Sequence, residues 1–347
     1  MRLVNYFILL LLFFLPTKVV SQYQFKTLDS GNGLNCSQIN CIYKDSRGYM
    51  WFGTPAGLYR YDGYTFKNFQ CDSQDGTSLP DSYIKSIIES PDGNLWIETA
   101  SGLCIYQPIT ETFERDMSHV FSKMGINGIP YLTFFDSNDN LWVAIANEGV
   151  FAYNLQQQLL YDDFTFANEA NGIPQGYICD MTECKDGVVL VYDNGRLVCC
   201  NINTQKHTQW IANDIANQKI LNNKQLKAFT DQMDNIWIYG QGALMVYNKN
   251  TGIWNKNIGN TLGLSDASSD NTINEISGDR QGNIWLATDK TGLIRTKVNS
   301  LSFENIILMN NAREYRDIKC IQSVYVDDTD LLWVGTEKAG NRRVLTC

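Results

Sequence analysis

The sequence predicts an all-β protein, a seven-bladed β-propeller whose blades are four-stranded antiparallel sheets. Three observations predict this fold. One tryptophan-centred phrase recurs seven times, each copy contains four strand-like segments, and a further strand-like segment before the first copy can complete the last one. The chain has 347 residues, of which 44% are hydrophobic, and this composition is sufficient for a buried core.

The repeated phrase is "DSRGYMWFGTPAGLYRYDG" at residues 45–63, and its copies follow at intervals of 45 to 48 residues. The anchor is tryptophan in six copies and leucine in one, at Trp51, Trp96, Trp142, Leu190, Trp237, Trp285 and Trp333. An indole at one position of successive repeats favours packing between neighbouring blades. We therefore expect the six tryptophans to be structural blade residues and not ligand platforms.

Each copy begins with an alternating strand such as "INCIYKD" and then enters a tight turn. We expect positive φ in this turn at Gly48, Gly93, Gly187 and Gly282, and at Asp139, Asp234 and Asp330, which replace glycine there. Aspartates also recur in the turns, at Asp45, Asp92, Asp136, Asp186, Asp231, Asp279 and Asp327. Their recurrence predicts side-chain bonding to the turn backbone and no catalytic role.

The second strand carries the anchor, a glycine-containing loop leads to the third, and a segment such as "YTFKNF" forms the fourth. The seventh copy has strand-like segments at about 320–326, 331–336 and 341–347, and it lacks a fourth. Residues 23–29, "YQFKTLD", look like the missing outer strand. One propeller domain is therefore predicted over residues 22–347, with the seventh blade closed by the N-terminal strand.

Residues 1–21 have the features of a secretory signal peptide, because Arg2 precedes a short apolar run that ends at Pro16. We therefore expect export to the periplasm, with an uncleaved anchor as the alternative. The formal net charge of −9 disfavours nucleic acid as a partner.

The ten cysteines include two pairs close in sequence, Cys36 with Cys41 and Cys179 with Cys184, and spacing alone leaves their bonding open. With two histidines and no C-x-x-C, a zinc site is disfavoured. The run "DDTD" at 327–330 lacks the spaced ligands of a calcium loop. We expect no metal and no cofactor.

The phrase "KDSRGYMWFGTPAGLYRYDGYTF" and the opening "LDSGNGLNCSQINCIYKDSRGYMWFGT" resemble the two-component regulator propeller family. The resemblance implies the N-terminal periplasmic sensor portion of a Bacteroides-type hybrid two-component system histidine kinase, which detects breakdown products of glycans. In that family a second propeller, a membrane span, a kinase and a DNA-binding domain follow. Here Cys347 falls within the seventh repeat and no kinase motif is present, so we expect a non-catalytic chain from a truncated or frameshifted gene, with the remainder on another chain as the alternative. Such a chain would meet the membrane only through the missing C-terminal regions.

A glycan-binding face needs aromatic and hydrogen-bonding side chains around a concavity. Long loops end near Tyr83, Tyr131 and Tyr177, which register with one another and with Gln38 in the first copy. A second row, nearer the predicted channel, contains Asn40, Asn274 and Gln322. We predict these seven residues as ligand-binding candidates, with hydrogen bonding between blades as the alternative.

Two other classes of function stay open. A secreted propeller hydrolase or lyase acting on polysaccharide would need paired carboxylates, for which Glu98 and Glu337 are the candidates; a solvated rim position is the alternative for both. A scaffold propeller would bind a protein. For the sensor, the expected partners are an oligosaccharide and either a second copy of the chain or a second propeller.

Overall fold

The structure is a computed structural model, and it describes residues 26–28, 30–36, 38–128, 130–146, 148–162, 177–193, 196–204, 206–210, 226–240, 243–255, 258, 272–298, 303–306, 320–336 and 344–346. The predicted signal peptide and Glu337 lie outside these residues. Helix is scarce: a 3₁₀ turn at Ser30–Asn32 and α1 at Ser118–Lys123 are its described segments longer than one residue. No helix among the described residues is long and apolar enough to cross a bilayer.

The strands form seven four-stranded sheets, and every strand pair within them is antiparallel. The prediction of an all-β propeller with four-stranded antiparallel blades is therefore confirmed. The N-terminal strand is β1 (Lys26–Leu28). The first three blades are blade 1, with β2 (Cys41–Lys44), β3 (Met50–Thr54), β4 (Gly57–Tyr61) and β5 (Phe66–Phe69); blade 2, with β6 (Ile84–Glu89), β7 (Leu95–Thr99), β8 (Gly102–Gln107) and β9 (Thr112–Glu114); and blade 3, with β10 (Pro130–Phe135), β11 (Leu141–Ile145), β12 (Gly149–Tyr153) and β13 (Leu159–Asp162).

The remaining blades repeat this order along the chain. They are blade 4, with β14 (Ile178–Cys184), β15 (Gly187–Tyr192), β16 (Leu197–Asn201) and β17 (Lys206–Trp210); blade 5, with β18 (Lys227–Thr230), β19 (Ile236–Gly240), β20 (Ala243–Asn248) and β21 (Ile253–Asn255); blade 6, with β22 (Ile273–Gly278), β23 (Asn283–Thr288), β24 (Leu293–Lys297) and β25 (Glu304–Ile306); and blade 7, with β26 (Ile321–Val326), β27 (Leu332–Thr336) and β28 (Val344–Thr346).

Blade 7 is completed by the N-terminal strand. Its strand order is β26, β27, β28, β1, and Lys26 lies opposite Thr346 in the outer pair. The predicted closure of the seventh repeat by the segment before the first is confirmed at this pair. Because β1 covers the edge of β28, the seam leaves no unpaired inner edge in the sheet.

The first strands of the blades face one another around the ring, and each contacts the first strand of a neighbour, including β2 with β26 across the seam. The core is divided into clusters between adjacent blades. The indole of Trp51 packs with Leu95 and Ile97 of blade 2, and that of Trp333 packs against Phe52 of blade 1 with ring centroids 5.9 Å apart. Trp96, Trp142, Trp237 and Trp285 likewise pack against the following blade.

A carboxylate fixes five of these six indoles. The indole N–H donates to a turn aspartate six residues earlier in the chain, over 2.8 to 3.2 Å, in the pairs Trp51–Asp45, Trp142–Asp136, Trp237–Asp231, Trp285–Asp279 and Trp333–Asp327. The other oxygen of each carboxylate accepts backbone N–H groups of the turn, as predicted. This arrangement satisfies a buried donor and a buried charge together.

Two aspartates of the predicted set do not occupy this position. Ser90 occupies it in blade 2, because its N–H pairs with the Asn94 carbonyl as that of Asp45 pairs with Tyr49. Asp92, two residues after Ser90, accepts the backbone N–H of Asn94 in this turn. In blade 4 four residues lie between the paired Glu183 and Val188, against five between their counterparts Lys44 and Met50 in blade 1. Cys184 therefore replaces the aspartate, and Asp186 lies within the shortened turn.

The shorter turn also moves the anchor of blade 4. Counting from the strand pairs, Val189 and not Leu190 is the counterpart of the tryptophans. Val189 faces blade 5, whereas Leu190 packs with Trp142 on the side of blade 3. The assignment of Leu190 was wrong because one residue is deleted between the turn and the strand. The expected positive φ angles are present at Gly48, Gly93, Gly187, Gly282, Asp139, Asp234 and Asp330.

Neither cysteine pair that is close in sequence is bonded in the structure. Cys184 instead lies near Cys199 in the same blade, with the sulfur atoms 3.7 Å apart. Both side chains are buried in the core between blades 4 and 5. The Cys36–Cys41 and Cys179–Cys184 pairings are therefore not formed.

Candidate functional site

The first strand of each blade, which we call its inner strand, faces the centre of the ring. The site lies where these inner strands begin. In most blades the first strand contains a one-residue bulge immediately after its first buried residue, as between Ile84 and Ser86. The same irregularity lies between Ile178 and Asp180, between Ile273 and Glu275 and between Ile321 and Ser323. A bulge re-aims one side chain at the rim of a sheet. Polar residues at this level are therefore directed toward a shared space.

That space is a cavity of about 450 Å³, which we call the mouth cavity. Described residues of six blades contribute to it, and none of the described residues of blade 3 does. It is lined by Gln38, Asn40, Tyr83, Lys85, Cys179, Leu226, Lys227, Gly240, Thr272, Ile273, Asn274 and Gln322. Its volume is in the range of pockets that hold small ligands.

Five of the seven predicted ligand residues line the mouth cavity: Gln38, Asn40, Tyr83, Asn274 and Gln322. Tyr83 exposes 42% of its surface, and most other tyrosines among the described residues are less exposed. The expected second row of Asn40, Asn274 and Gln322 does lie at one level, since each directly follows a buried isoleucine at the start of its blade. Whether these residues bind a ligand remains a prediction.

Tyr131 and Tyr177 are not among the lining residues. Their rings stack on each other at a centroid distance of 4.6 Å, and the Tyr131 hydroxyl accepts the backbone N–H of Ile178. Tyr131 is also out of register with Tyr83 and Tyr177. Pro130 takes the position of Ile84 and Ile178, so Tyr131 is itself the bulge residue. The predicted register was therefore wrong by one residue in blade 3.

The alternative proposed for the second row is also observed. The side-chain amides of Asn40 and Asn274 each donate to a backbone carbonyl of the next blade, of Ile84 and Ile321, both over 2.7 Å. Gln38 in turn donates to the Asn40 side-chain oxygen over 2.9 Å. These bonds hold the two asparagines in fixed orientations, so the cavity wall is ordered before any ligand arrives.

Two carboxylates lie one residue further along the inner strands, and each bonds the next blade. Asp180 accepts the backbone N–H of Ala228 over 2.9 Å, and Glu275 accepts that of Val324 over 3.2 Å. Burial raises the pKa of Asp180 to about 6 and that of Glu275 to about 7. The nearby Lys227 ammonium opposes the shift at both, but burial dominates.

Sequence reasoning missed the two lysines of the mouth cavity, Lys85 and Lys227. The signal was present in the repeat, because Lys85 follows Ile84 as Asn40 follows Ile39, and Lys227 follows Leu226 in the same way. Glu98, the carboxylate singled out as a candidate acid, pairs with Lys85 over 3.0 Å. Among the described residues no cluster of histidine, cysteine and acidic side chains could hold a metal ion.

The geometry therefore defines a propeller with a polar cavity at one mouth of its channel. Comparison with known families confirms the resemblance stated above: the model of the family "Two component regulator propeller" matches this chain at residues 33–56, 78–97 and 267–290. A curated relative, histidine kinase P4 of Formosa agariphila, is 34% identical over 82 residues, which are 23% of this chain and 6% of that protein.

Solved structures share the fold. The extracellular domains of two proteins of B. thetaiotaomicron assigned to hybrid two-component systems match 93% and 94% of this chain, with TM-scores of 0.69 and 0.66 and 19% identity each. The chain spans 41% and 43% of those two domains. Virginiamycin B lyase from Staphylococcus aureus also matches, with a TM-score of 0.57 and 10% identity over 93% of this chain and 98% of the lyase. At such identities the likeness concerns the fold alone.

Proposed function

We propose that this chain is an exported ligand-sensing propeller of a hybrid two-component system, and that the mouth cavity takes its ligand, an oligosaccharide. The observation that carries the proposal is the cavity itself, because one bound molecule would touch side chains from six blades. The family repeats and the extracellular sensor domains of similar fold support the signalling role.

The composition of the cavity wall supports a sugar as the ligand. Side-chain amides of Gln38, Asn40, Asn274 and Gln322 supply both donors and acceptors, and Tyr83 presents an accessible ring at the edge. Hydroxyl-rich ligands need such paired donors and acceptors, and sugar faces pack on aromatic rings. The two asparagines are already oriented by bonds to the next blade, which lowers the entropic cost of binding.

We propose that ligand binding is signalled by a change in how two propellers, or two copies of the chain, are arranged. A ligand that contacts one arrangement of two propellers, or of two copies of the chain, more favourably than another changes their populations. The partner in this step is a second propeller or a second copy. Sequencing the gene beyond codon 347 tests whether a membrane span and a kinase belong to the same protein.

Thermal-shift measurement against a panel of plant and algal oligosaccharides, with product analysis, tests the function. Stabilisation without turnover is expected for a sensor, because a ligand that binds only the folded state raises its stability. Tyr83→Ala should abolish the shift. Tyr64→Ala is the matched control, since Tyr64 is 86% exposed in the hairpin between β4 and β5 and does not line the cavity. Turnover of any oligosaccharide would favour the hydrolase or lyase alternative.

A further inference from the structure

The charge of the mouth cavity is opposite to that of the protein. The chain has a formal net charge of −9, yet the described residues that line the cavity include Lys85 and Lys227 and no aspartate or glutamate. Clefts lined by one sign of charge concentrate ligands of the other sign. The cavity wall thus differs in sign of charge from the chain as a whole.

Lys227 has hydrogen-bonding capacity to spare. Within the described part of the chain, its ammonium group donates one hydrogen bond, to the Asn274 carbonyl over 3.1 Å, and its side chain is exposed. An ammonium carries three donors, so two of them can serve a ligand. Lys85 contributes less charge, because Glu98 pairs with it over 3.0 Å, but nearly half of its side chain is accessible.

The carboxylates near Lys227 do not compete strongly for it. Asp180 and Glu275 lie outside the lining set, and their oxygens accept backbone N–H groups of blades 5 and 7. Both carboxyls also have raised pKa values, of about 6 and about 7, because they are buried. Near neutral pH the negative charge behind the cavity is therefore incomplete.

We propose that the ligand of the mouth cavity is an anionic saccharide, whose carboxylate or sulfate group is bound by Lys227 with support from Lys85. This inference rests on the proposed function, since it specifies the ligand class of the same site. The amides of Gln38 and Gln322 then contact the hydroxyl groups of the sugar, and the ammonium groups select the charge.

Three matched tetrasaccharides test the inference by calorimetry on the purified chain: tetragalacturonate, galactotetraose and galactotetraose bearing sulfate esters. Binding of tetragalacturonate or of the sulfated sugar, but not of the neutral one, is expected. That binding should weaken as sodium chloride is raised, because salt screens exposed charges. The two anionic ligands distinguish a carboxylate source of the charge from a sulfate source.

Variants of the lysines complete the test. Lys227→Gln should weaken anionic binding by about tenfold to a hundredfold, the usual range for a hydrogen bond to a charged group. Lys227→Arg should restore most of it, and Lys123→Gln, which removes an exposed charge at the end of α1, should change nothing. Neutral binding that equals anionic binding and is unaffected by Lys227→Gln would overturn the inference and leave the sensor proposal standing. If none of the sugars in either panel binds, both proposals fail.

Discussion

The two ends of the inner strands use carboxylates in opposite ways. At the turn end, Asp327 accepts hydrogen bonds from Thr329, Leu331 and Trp333, and although burial opposes ionisation, these bonds lower its pKa. At the mouth end, Glu275 has a single backbone donor, and burial raises its pKa to about 7. Several hydrogen bonds outweigh the effect of burial at Asp327, whereas one backbone donor does not outweigh it at Glu275. The turn carboxylates therefore stabilise the fold in their ionised form, whereas the buried carboxyls at the mouth end keep their protons to a higher pH.

The largest expected effect lies at the turn end. Trp142→Ala should lower the free energy of unfolding by about 3–5 kcal/mol, because Trp142 is fully buried between blades 3 and 4 and its removal leaves a cavity. Urea denaturation followed by circular dichroism measures the loss. A change below about 1 kcal/mol would mean that the indoles do not hold the blades together.

The carboxylate that fixes the same indole should matter less. Asp136→Ala should cost about 1–3 kcal/mol, since the Trp142 N–H and the turn N–H groups of Asn138 and Asn140 would lose their acceptor. The control is Asp186→Ala, because Asp186 lies in the shortened turn of blade 4 and, among the described residues, its carboxylate pairs with Lys249 and accepts no indole N–H. Equal losses in the two variants would contradict the role assigned to the indole–carboxylate pair.

The raised pKa of Glu275 predicts that its contribution to stability falls as the pH rises, opposite to the contribution of Asp327, whose pKa is lowered. A carboxyl whose pKa is higher in the folded chain, about 7 against 4.5 for Glu275, binds its proton more tightly when folded. Stability contributed by Glu275 is therefore present at pH 4.5 and lost as the pH rises through about 7. Glu275→Gln should keep the acceptor for Val324 and stabilise the protein at pH 8 by roughly 1–2 kcal/mol, with no gain at pH 4.5. Thermal unfolding of both proteins across this range gives the comparison.

The smallest effect on stability is expected at the cavity wall. Gln38→Ala should change the free energy of unfolding by less than about 0.5 kcal/mol, because Gln38 is only partly buried and bonds one side chain. Binding of the oligosaccharide should nevertheless weaken in the same variant. A large loss of stability with unchanged binding would reverse the division of roles between the two ends.

The fold could be predicted from the sequence because the anchor residues recur once per blade, so their spacing gives the length of the repeat. The second row could be placed for the same reason, since Asn40, Asn274 and Gln322 share one position of the repeat. Single-residue changes within a repeat defeated this reasoning. Pro130 shifts Tyr131 onto the bulge, and the shortened turn of blade 4 moves the anchor from Leu190 to Val189.

Other features could not be predicted from the sequence because they depend on contacts formed in the folded chain. The bond from Trp142 to Asp136 spans six residues in the chain, but only the turn geometry brings the carboxylate to the indole N–H. The meeting of Lys85 and Lys227 in one cavity depends on blades that are distant in sequence. Neither lysine stands out by residue type, because lysines are usually exposed for no functional reason.

The pairing of β1 with β28 places the break in the chain within blade 7, between two strands of one sheet. If new termini were opened at an exposed hairpin, such as the one that carries Tyr64, and the old ones were joined, all seven sheets would retain their strands. The seam would simply move to another blade. A circularly permuted chain of this kind would place a fused reporter beside whichever blade an experimenter chooses.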